Sequence, residues 1–408
     1  MRQNNFEPLS RLSESVSLRY YNMAPIHYLP LSILASLTTS ISLPPPSGPY
    51  NVGYTQHVFN HISIDDPSPG PDNILLTSIY YPTLATPSPN TTVPYFDPTS
   101  ATIWGEVFNL YPSDLLNLTT TLQWHAPLLP SKEADLEKSK PTLLFAPGGG
   151  MNAFMFSSLL SDLASQGFTI VALDHPGEAP YLRLNPFTDE DAVTGWDIYM
   201  PYTPLLTQQI YEFRLNDLFF LLSDTGFSEL VQNWTGSYFN TDSYGAFGHS
   251  VGGAQAAGAM DRYSNIIAGM NIDGGFFGDS VNASLTGRPF LMMMNPTHFA
   301  SDTTWTGFVE RYAVEAEEIG KGWLDWFTVG SVAHLALSDL SLWVELLPKA
   351  NGTDLIDLGT LKGSRVDQLL REYVGAFWGW VAGGEYEEVL EGESKEWPEV
   401  EFNRTVRI

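Results

Sequence analysis

Ser250 lies in the pentapeptide Gly248-His249-Ser250-Val251-Gly252, whose residue types could hold an acyl-accepting hydroxyl. A serine hydroxyl is a weak nucleophile at neutral pH. It needs an adjacent imidazole, and the imidazole needs a carboxylate to fix its tautomer and balance its charge. Downstream of Ser250 the histidines are His298 and His334. His298 directly follows the apolar run 289–294, one strand too early for the base, and reads as a polar loop residue. His334 ends Gly330-Ser331-Val332-Ala333-His334 after a further strand-like run, and is the better base. Two acids compete for the third role. Asp273 ends the apolar run 266–272 and is followed by Gly274-Gly275, whereas Asp302 lies in the loop after the next strand. Both could point up from a sheet, and the pattern favours Asp273; Asp279 could be a helix cap. Acyl transfer also needs donors for the developing oxyanion. The Val251 amide and that of Gly149 or Gly150, in Pro147-Gly148-Gly149-Gly150, fit that need. His249 reads as a packed neighbour of Ser250 and His175 as a sheet-end residue. Neither has metal-ligand partners at a useful spacing, so no metal or cofactor is implied.

A pentapeptide of this kind is weak by itself, and the elements around it carry the case. Residues 244–247 read as a buried strand and 253–260 as a small-residue helix, which is the strand, tight turn and helix of a nucleophile elbow. Upstream, strand 143–146, the glycine loop, helix 154–166 and strand 168–173 form a βαβ unit. A helix at 206–222 and strands at 266–272 and 289–294 follow. Short, wholly apolar strands of this kind belong to a mostly parallel sheet covered by helices on both faces. Residues 52–59 and 74–81 alternate as antiparallel strands joined by a turn at 65–70, and are expected at the sheet edge. The proline-rich stretch 84–139 reads as loops and a short helix with no role in chemistry. The aromatic segment 177–204, with Tyr181, Phe187, Trp196, Tyr199 and Tyr202, could cap the site. Trp305, Phe308, Trp323, Trp326 and Phe327 read as core ahead of an acyl-binding wall.

With 408 residues and 43% hydrophobic content the chain can bury one large catalytic domain, assigned to 43–384. A net charge of -27 excludes nucleic acid and disfavours anionic surfaces, leaving neutral or zwitterionic esters as partners. Without cysteine there is no disulfide framework and no thiolate site. Residues 1–42 read as an N-terminal extension with a signal peptide: an apolar run at 28–37 precedes Ser40 and Ser42, and Met23 is an alternative start. Six Asn-x-Ser/Thr sequons, at Asn90, Asn117, Asn233, Asn282, Asn351 and Asn403, are expected on surface loops of a secreted, glycosylated chain. Residues 385–401 carry eight Glu against one Lys, so 385–408 is expected to be a solvated acidic tail.

Pro49-Tyr50-Asn51-Val52-Gly53-Tyr54, Ile79-Tyr80-Tyr81-Pro82, Gly248-His249-Ser250-Val251-Gly252-Gly253 and Gly330-Ser331-Val332-Ala333-His334 together resemble the platelet-activating factor acetylhydrolases of the plasma, lipoprotein-associated type. Fungal and other microbial relatives look closer still. The resemblance spans about residues 45–380 and implies an α/β-hydrolase fold. The family's acid follows its serine by 23 residues, which selects Asp273, and its base follows a Gly-Ser loop, which selects His334. Its oxyanion donors carry over to Val251 and to Gly149 or Gly150. The chain departs from the family here, with Pro147-Gly148-Gly149-Gly150 where relatives have His-Gly-x-Gly. The implied activity is 1-alkyl-2-acetylglycerophosphocholine esterase, calcium-independent, with a small-molecule or lipid ester as partner and transient contact with a lipid surface left open. A broad carboxylesterase, lipase or polyesterase is the alternative. A hydrolase-fold binding protein with an idle serine is a further one.

Overall fold

The computed structural model describes residues 40–130, 139–188, 191–197, 200–232, 234, 239–349 and 356–408. The strands are β1 (Ile41–Ser42), β2 (Asn51–Asn60), β3 (Ile74–Thr83), β4 (Thr92–Pro94), β5 (Leu118–Trp124), β6 (Thr142–Ala146), β7 (Ile170–Asp174), β8 (Tyr181–Arg183), β9 (Ala192–Thr194), β10 (Tyr244–His249), β11 (Ile266–Ile272), β12 (Phe290–Met294), β13 (Trp323–Val329) and β14 (Val400–Arg407). One sheet runs in the order β1-β5-β2-β3-β7-β6-β10-β11-β12-β13-β14, with β4 on β5, and β8 and β9 form a separate hairpin. From β7 to β13 every neighbouring pair is parallel. Strands β2, β3 and β14 join antiparallel to their inner neighbours.

The parallel strands read as unbroken apolar runs because helices cover both of their faces. Adjacent residues of one strand feed opposite cores. Leu143 and Phe145 of β6 pack with helices Ser157–Ser165 and Gly363–Val381, and Leu144 packs with helices Pro204–Leu221 and Val251–Arg262. The five aromatics Trp305, Phe308, Trp323, Trp326 and Phe327 are all buried in these two cores, which settles their role as packing.

Strand order fixes where a site can form. From β6 the chain crosses to β7 on one side and returns to β10 on the other, so the loops after β6 and β10 diverge over a crevice. In open α/β sheets ligands bind at the carboxyl ends of the strands at such a reversal. The loop after β6 is the glycine run 147–150, and the turn after β10 carries Ser250.

Three expectations are corrected. Besides the short helix expected in 84–139, found at Pro98–Phe108, the segment contains strand β5, which pairs parallel with β2, so β2 is interior and not the edge. Asn403 is no surface loop site: it lies in β14 and donates to Thr328 Oγ1 at 2.7 Å. The acidic C-terminus is not a solvated tail, because β14 pairs along the whole of β13 and Leu390, Trp397, Val400 and Val406 are buried. The glutamates dominate its composition, and those few apolar residues decide its structure. A chain ending at residue 399 would expose the β13 edge, and its melting temperature is expected to fall by about 5 °C or more in differential scanning calorimetry. The apolar run 28–37 and Met23 lie outside the described residues, as do the sequons Asn233 and Asn351; Ile41 and Ser42, expected within the N-terminal extension, form β1 and pair with β5.

Candidate active site

Ser250 follows β10 and precedes helix Val251–Arg262 with φ 56° and ψ -127°, a conformation L-residues rarely adopt. The strain lifts the hydroxyl out of the strand-to-helix turn, and small neighbours make the turn possible. A Cβ on Gly252 would stand 2.1 Å from the Ala146 carbonyl oxygen, and one on Gly253 would stand 2.0 Å from Asn271 Oδ1. The Ser250 amide donates to the Ile272 carbonyl at 2.8 Å, tying the turn to β11.

Asp273 emerges at the end of β11 with φ 59° and its carboxylate wholly buried. His334, after β13, reaches it through Nδ1 at 2.6 Å from Oδ2, and its Nε2 lies 3.0 Å from Ser250 Oγ. Asp302, the competing acid, accepts instead from the Thr304 amide and hydroxyl at 2.8 and 2.6 Å. Asp279 pairs with Arg262 and Tyr211 from within the short helix Gly278–Asn282, whose N-cap is Phe277. Among the described residues four contacts converge on the Asp273 carboxylate. Oδ1 accepts from the Asn295 amide at 2.7 Å and lies 3.1 Å from His298 Nδ1; Oδ2 also accepts from Asn295 Nδ2 at 2.5 Å. Burial alone would raise the carboxyl, but the bonds from His298 and His334 outweigh it and hold Asp273 well below the usual carboxylate range.

A cavity of about 430 Å³ opens over these groups, and its wall includes Ser250, Val251, His298, His334, Trp104, Tyr202 and the glycines 148–150. Val251 heads its helix, so its amide has no intrahelical acceptor. Of the two candidate glycines, Gly150 points its amide at Glu178 Oε1 at 3.3 Å. The Gly149 amide has no acceptor among the described residues. Such an arrangement can remove a proton from a serine hydroxyl and meet an oxyanion with two backbone donors. Among the described residues the one compact cluster of potential metal ligands is His249, Asp273 and His334; Asp273 Oδ2 and His334 Nδ1 face each other, and His249 Nε2 is held by the His334 carbonyl.

No family model matches the sequence. A solved ferulic acid esterase from Streptomyces cinnamoneus superposes with a TM-score of 0.67, covering 90% of this chain and 100% of its own at 23% identity. The chain has the α/β-hydrolase fold. A curated Arthroderma benhamiae protein, named probable 1-alkyl-2-acetylglycerophosphocholine esterase, is 26% identical over 404 residues, 91% of this chain and 96% of that protein. The resemblance to the platelet-activating factor acetylhydrolases therefore runs through nearly the whole chain and beyond the motifs that first suggest it.

Several features of the candidate site escape sequence reading. His298 is not a passive loop residue: the Asn295-capped helix Pro296–Ser301 brings it onto Asp273, and that hydrogen bond, opposed by partial burial, raises the imidazole pKa. Trp104 enters the cavity wall from a segment expected to have no role, and Tyr202 of the aromatic excursion lies against Gly149 and Gly150. Their distance along the chain hides both.

His249 is fully buried beside the elbow and donates through Nε2 to the His334 carbonyl at 2.9 Å. Burial, reinforced by the neighbouring His334, pushes its pKa down to about 3 from 6.5. The fold therefore favours neutral His249, and its stabilisation is complete above pH 6.5 and lost as pH falls toward 3. The slope is about 1.4 kcal/mol per pH unit in that window. Acid unfolding of His249→Gln, followed by circular dichroism, is expected to be shallower between about pH 6.5 and about pH 4 than that of the parent chain.

Proposed function

We propose that the chain is a serine ester hydrolase acting on short acyl esters of phospholipids, as a 1-alkyl-2-acetylglycerophosphocholine esterase does, through Ser250, His334 and Asp273. The carrying observation is the unbroken chain of contacts from Asp273 Oδ2 to His334 Nδ1 at 2.6 Å and from His334 Nε2 to Ser250 Oγ at 3.0 Å. As Oγ attacks the ester carbonyl carbon, His334 Nε2 takes its proton. The new oxyanion accepts from the Val251 and Gly149 amides. Collapse expels the alcohol, which receives the proton from His334 and leaves an acyl-Ser250. Water then repeats the sequence with His334 as base, releasing the acid and restoring Ser250.

One observation favours a second reading, a broad carboxylesterase for neutral esters. Among the described residues, the cavity wall has acidic Glu178, Asp197 and Asp302 but no lysine or arginine to receive a phosphate. Parallel kcat/KM measurements on an acetyl phospholipid, p-nitrophenyl acetate and a long-chain triglyceride separate the two. The phospholipid reading expects the acetyl phospholipid to lead, and fails if the aryl ester exceeds it by tenfold or more. Secretion belongs to the same proposal, supported by the apolar run 28–37 and by exposed sequons at Asn90 and Asn282. N-terminal sequencing of protein recovered from the medium tests it.

A further inference from the structure

Arg214, on helix Pro204–Leu221, is a buried arginine beside the crevice, and among the described residues its guanidinium bonds only to the loops after β6 and β7. Its Nε donates to Glu178 Oε2 at 2.7 Å and its Nη2 to Glu178 Oε1 at 2.6 Å, a two-point fork between planar groups. Nη1 donates to the Pro147 carbonyl at 2.6 Å and Nη2 also to the Gly148 carbonyl at 3.2 Å. Glu178 Oε1 in turn accepts the Gly150 amide. The pair thus holds three backbone groups of the four-residue run 147–150.

The consequence for the amide between them follows from peptide geometry. The peptide bonds of the run are trans, so the Gly148 carbonyl and the Gly149 N–H point to opposite sides of the chain. Drawing the carbonyl onto Arg214 turns the Gly149 N–H away from the guanidinium. Gly149 also lines the cavity that holds Ser250 and Val251. A glycine run free of side chains would otherwise sample many orientations, because glycine loses more backbone freedom on ordering than any other residue. Burying an ion pair is costly, and a hydrophobic pair of similar volume is often as stable, so stability gives little reason to keep this one.

We infer that Arg214 and Glu178 are positioning residues that preset the Gly149 amide as an oxyanion donor. The inference rests on the proposed acyl transfer at Ser250. The two act through backbone and touch no reacting atom. Arg214 supplies a fork that lysine cannot reproduce, because an ammonium is a single point of charge.

The test compares the full chain with Arg214→Lys and Glu178→Gln, using p-nitrophenyl acetate kinetics, inhibition by an aryl trifluoromethyl ketone and thermal melting. Removing one oxyanion donor elsewhere costs on the order of 10²–10³ in kcat, and a mispositioned donor should lose a substantial part of that. For Arg214→Lys we expect kcat to fall roughly 10–100-fold with KM within about twofold. Affinity for the ketone, which forms a tetrahedral oxyanion adduct, should fall in parallel with kcat/KM. Glu178→Gln keeps the side-chain shape and should fall between parent and Arg214→Lys. If one variant does not fold, the other decides. Folded variants with the parent's kcat and ketone affinity overturn the inference, as does a loss confined to melting temperature. Ser250→Ala in the same series separates the two readings. An active Ser250→Ala removes the proposed acyl transfer altogether, whereas an inactive one beside undiminished Arg214→Lys and Glu178→Gln removes the clamp alone.

Discussion

Ser250→Ala is expected to lower kcat for a p-nitrophenyl ester by on the order of 10⁵–10⁶, because a serine acting as one unit with its base contributes that much elsewhere. The effect should fall on kcat. The cavity wall and the amides of Val251 and Gly149 stay in place, so KM should change little. What remains should be a weak acceleration over water, from oxyanion donors and substrate positioning. Folding should survive, since alanine replaces serine without adding volume and Ser250 caps its helix through no side-chain hydrogen bond. The unusual backbone at φ 56° is adopted by serine already and asks nothing new of alanine. A stopped-flow burst of one p-nitrophenolate per parent chain, absent in Ser250→Ala, would report the acyl intermediate directly. Retention of a tenth or more of parental kcat by folded Ser250→Ala would contradict the proposed chemistry.

The parts of this fold that sequence reveals are those whose signals are local. Strand Ile266–Ile272, followed at once by Asp273, is visible because seven residues in a row avoid charge and the turn after them is marked by Gly274-Gly275. The elbow is visible because close approach of helix Val251–Arg262 to β6 and β11 requires small residues at fixed positions, as the contacts a Cβ would make at Gly252 and Gly253 show. The choice between Asp273 and Asp302 is different, since both end near strand termini. Pattern and family spacing favour Asp273, whose Oδ2 lies 2.6 Å from His334 Nδ1.

What sequence hides is set by distance along the chain and by mixed composition. Strand β5 has four polar residues in seven, so its pairing with β2 leaves no clean alternation. Strand β14 follows a run of glutamates, and the buried Val400 and Val406 carry less weight in composition than they do in the sheet. Arg214 looks like one cation on a helix. Its burial depends on Glu178, 36 residues earlier, which no periodicity announces. His298 is set aside as the base for a sound reason, yet a fixed chain order of serine, acid and histidine says nothing about a second imidazole on the same acid. Only the three-dimensional end of β12 brings it there.

That second imidazole sharpens the expected result of Asp273→Asn, a loss in kcat of about 10⁴ with KM nearly unchanged, by analogy with the size of this substitution in triads generally. An amide offers one oxygen where the carboxylate offers two, and here both oxygens face donors. The donor at Oδ1 includes the Asn295 backbone N–H, which cannot rotate away, so the oxygen of the substituted amide must take that side. Its NH2 group then faces His334 Nδ1 and Asn295 Nδ2. Asn295 is not free to turn, because its own Oδ1 accepts from the amides of Thr297 and His298. His334 must therefore move its proton to Nε2 and present it to Ser250 Oγ, where a lone pair is needed to receive one. The imidazole cation that acyl transfer creates would also lose its countercharge. His298 faces the retained oxygen, so His298→Ala in the parent chain should leave the Asp273–His334–Ser250 sequence standing and cost far less. Steady-state kinetics on both variants check the contrast, and proton NMR should lose the hydrogen-bonded Nδ1–H resonance of His334 in Asp273→Asn alone. Equal losses in the two variants would mean that Asp273 works through both imidazoles, and an active Asp273→Asn would mean that His334 needs no carboxylate to hold its tautomer.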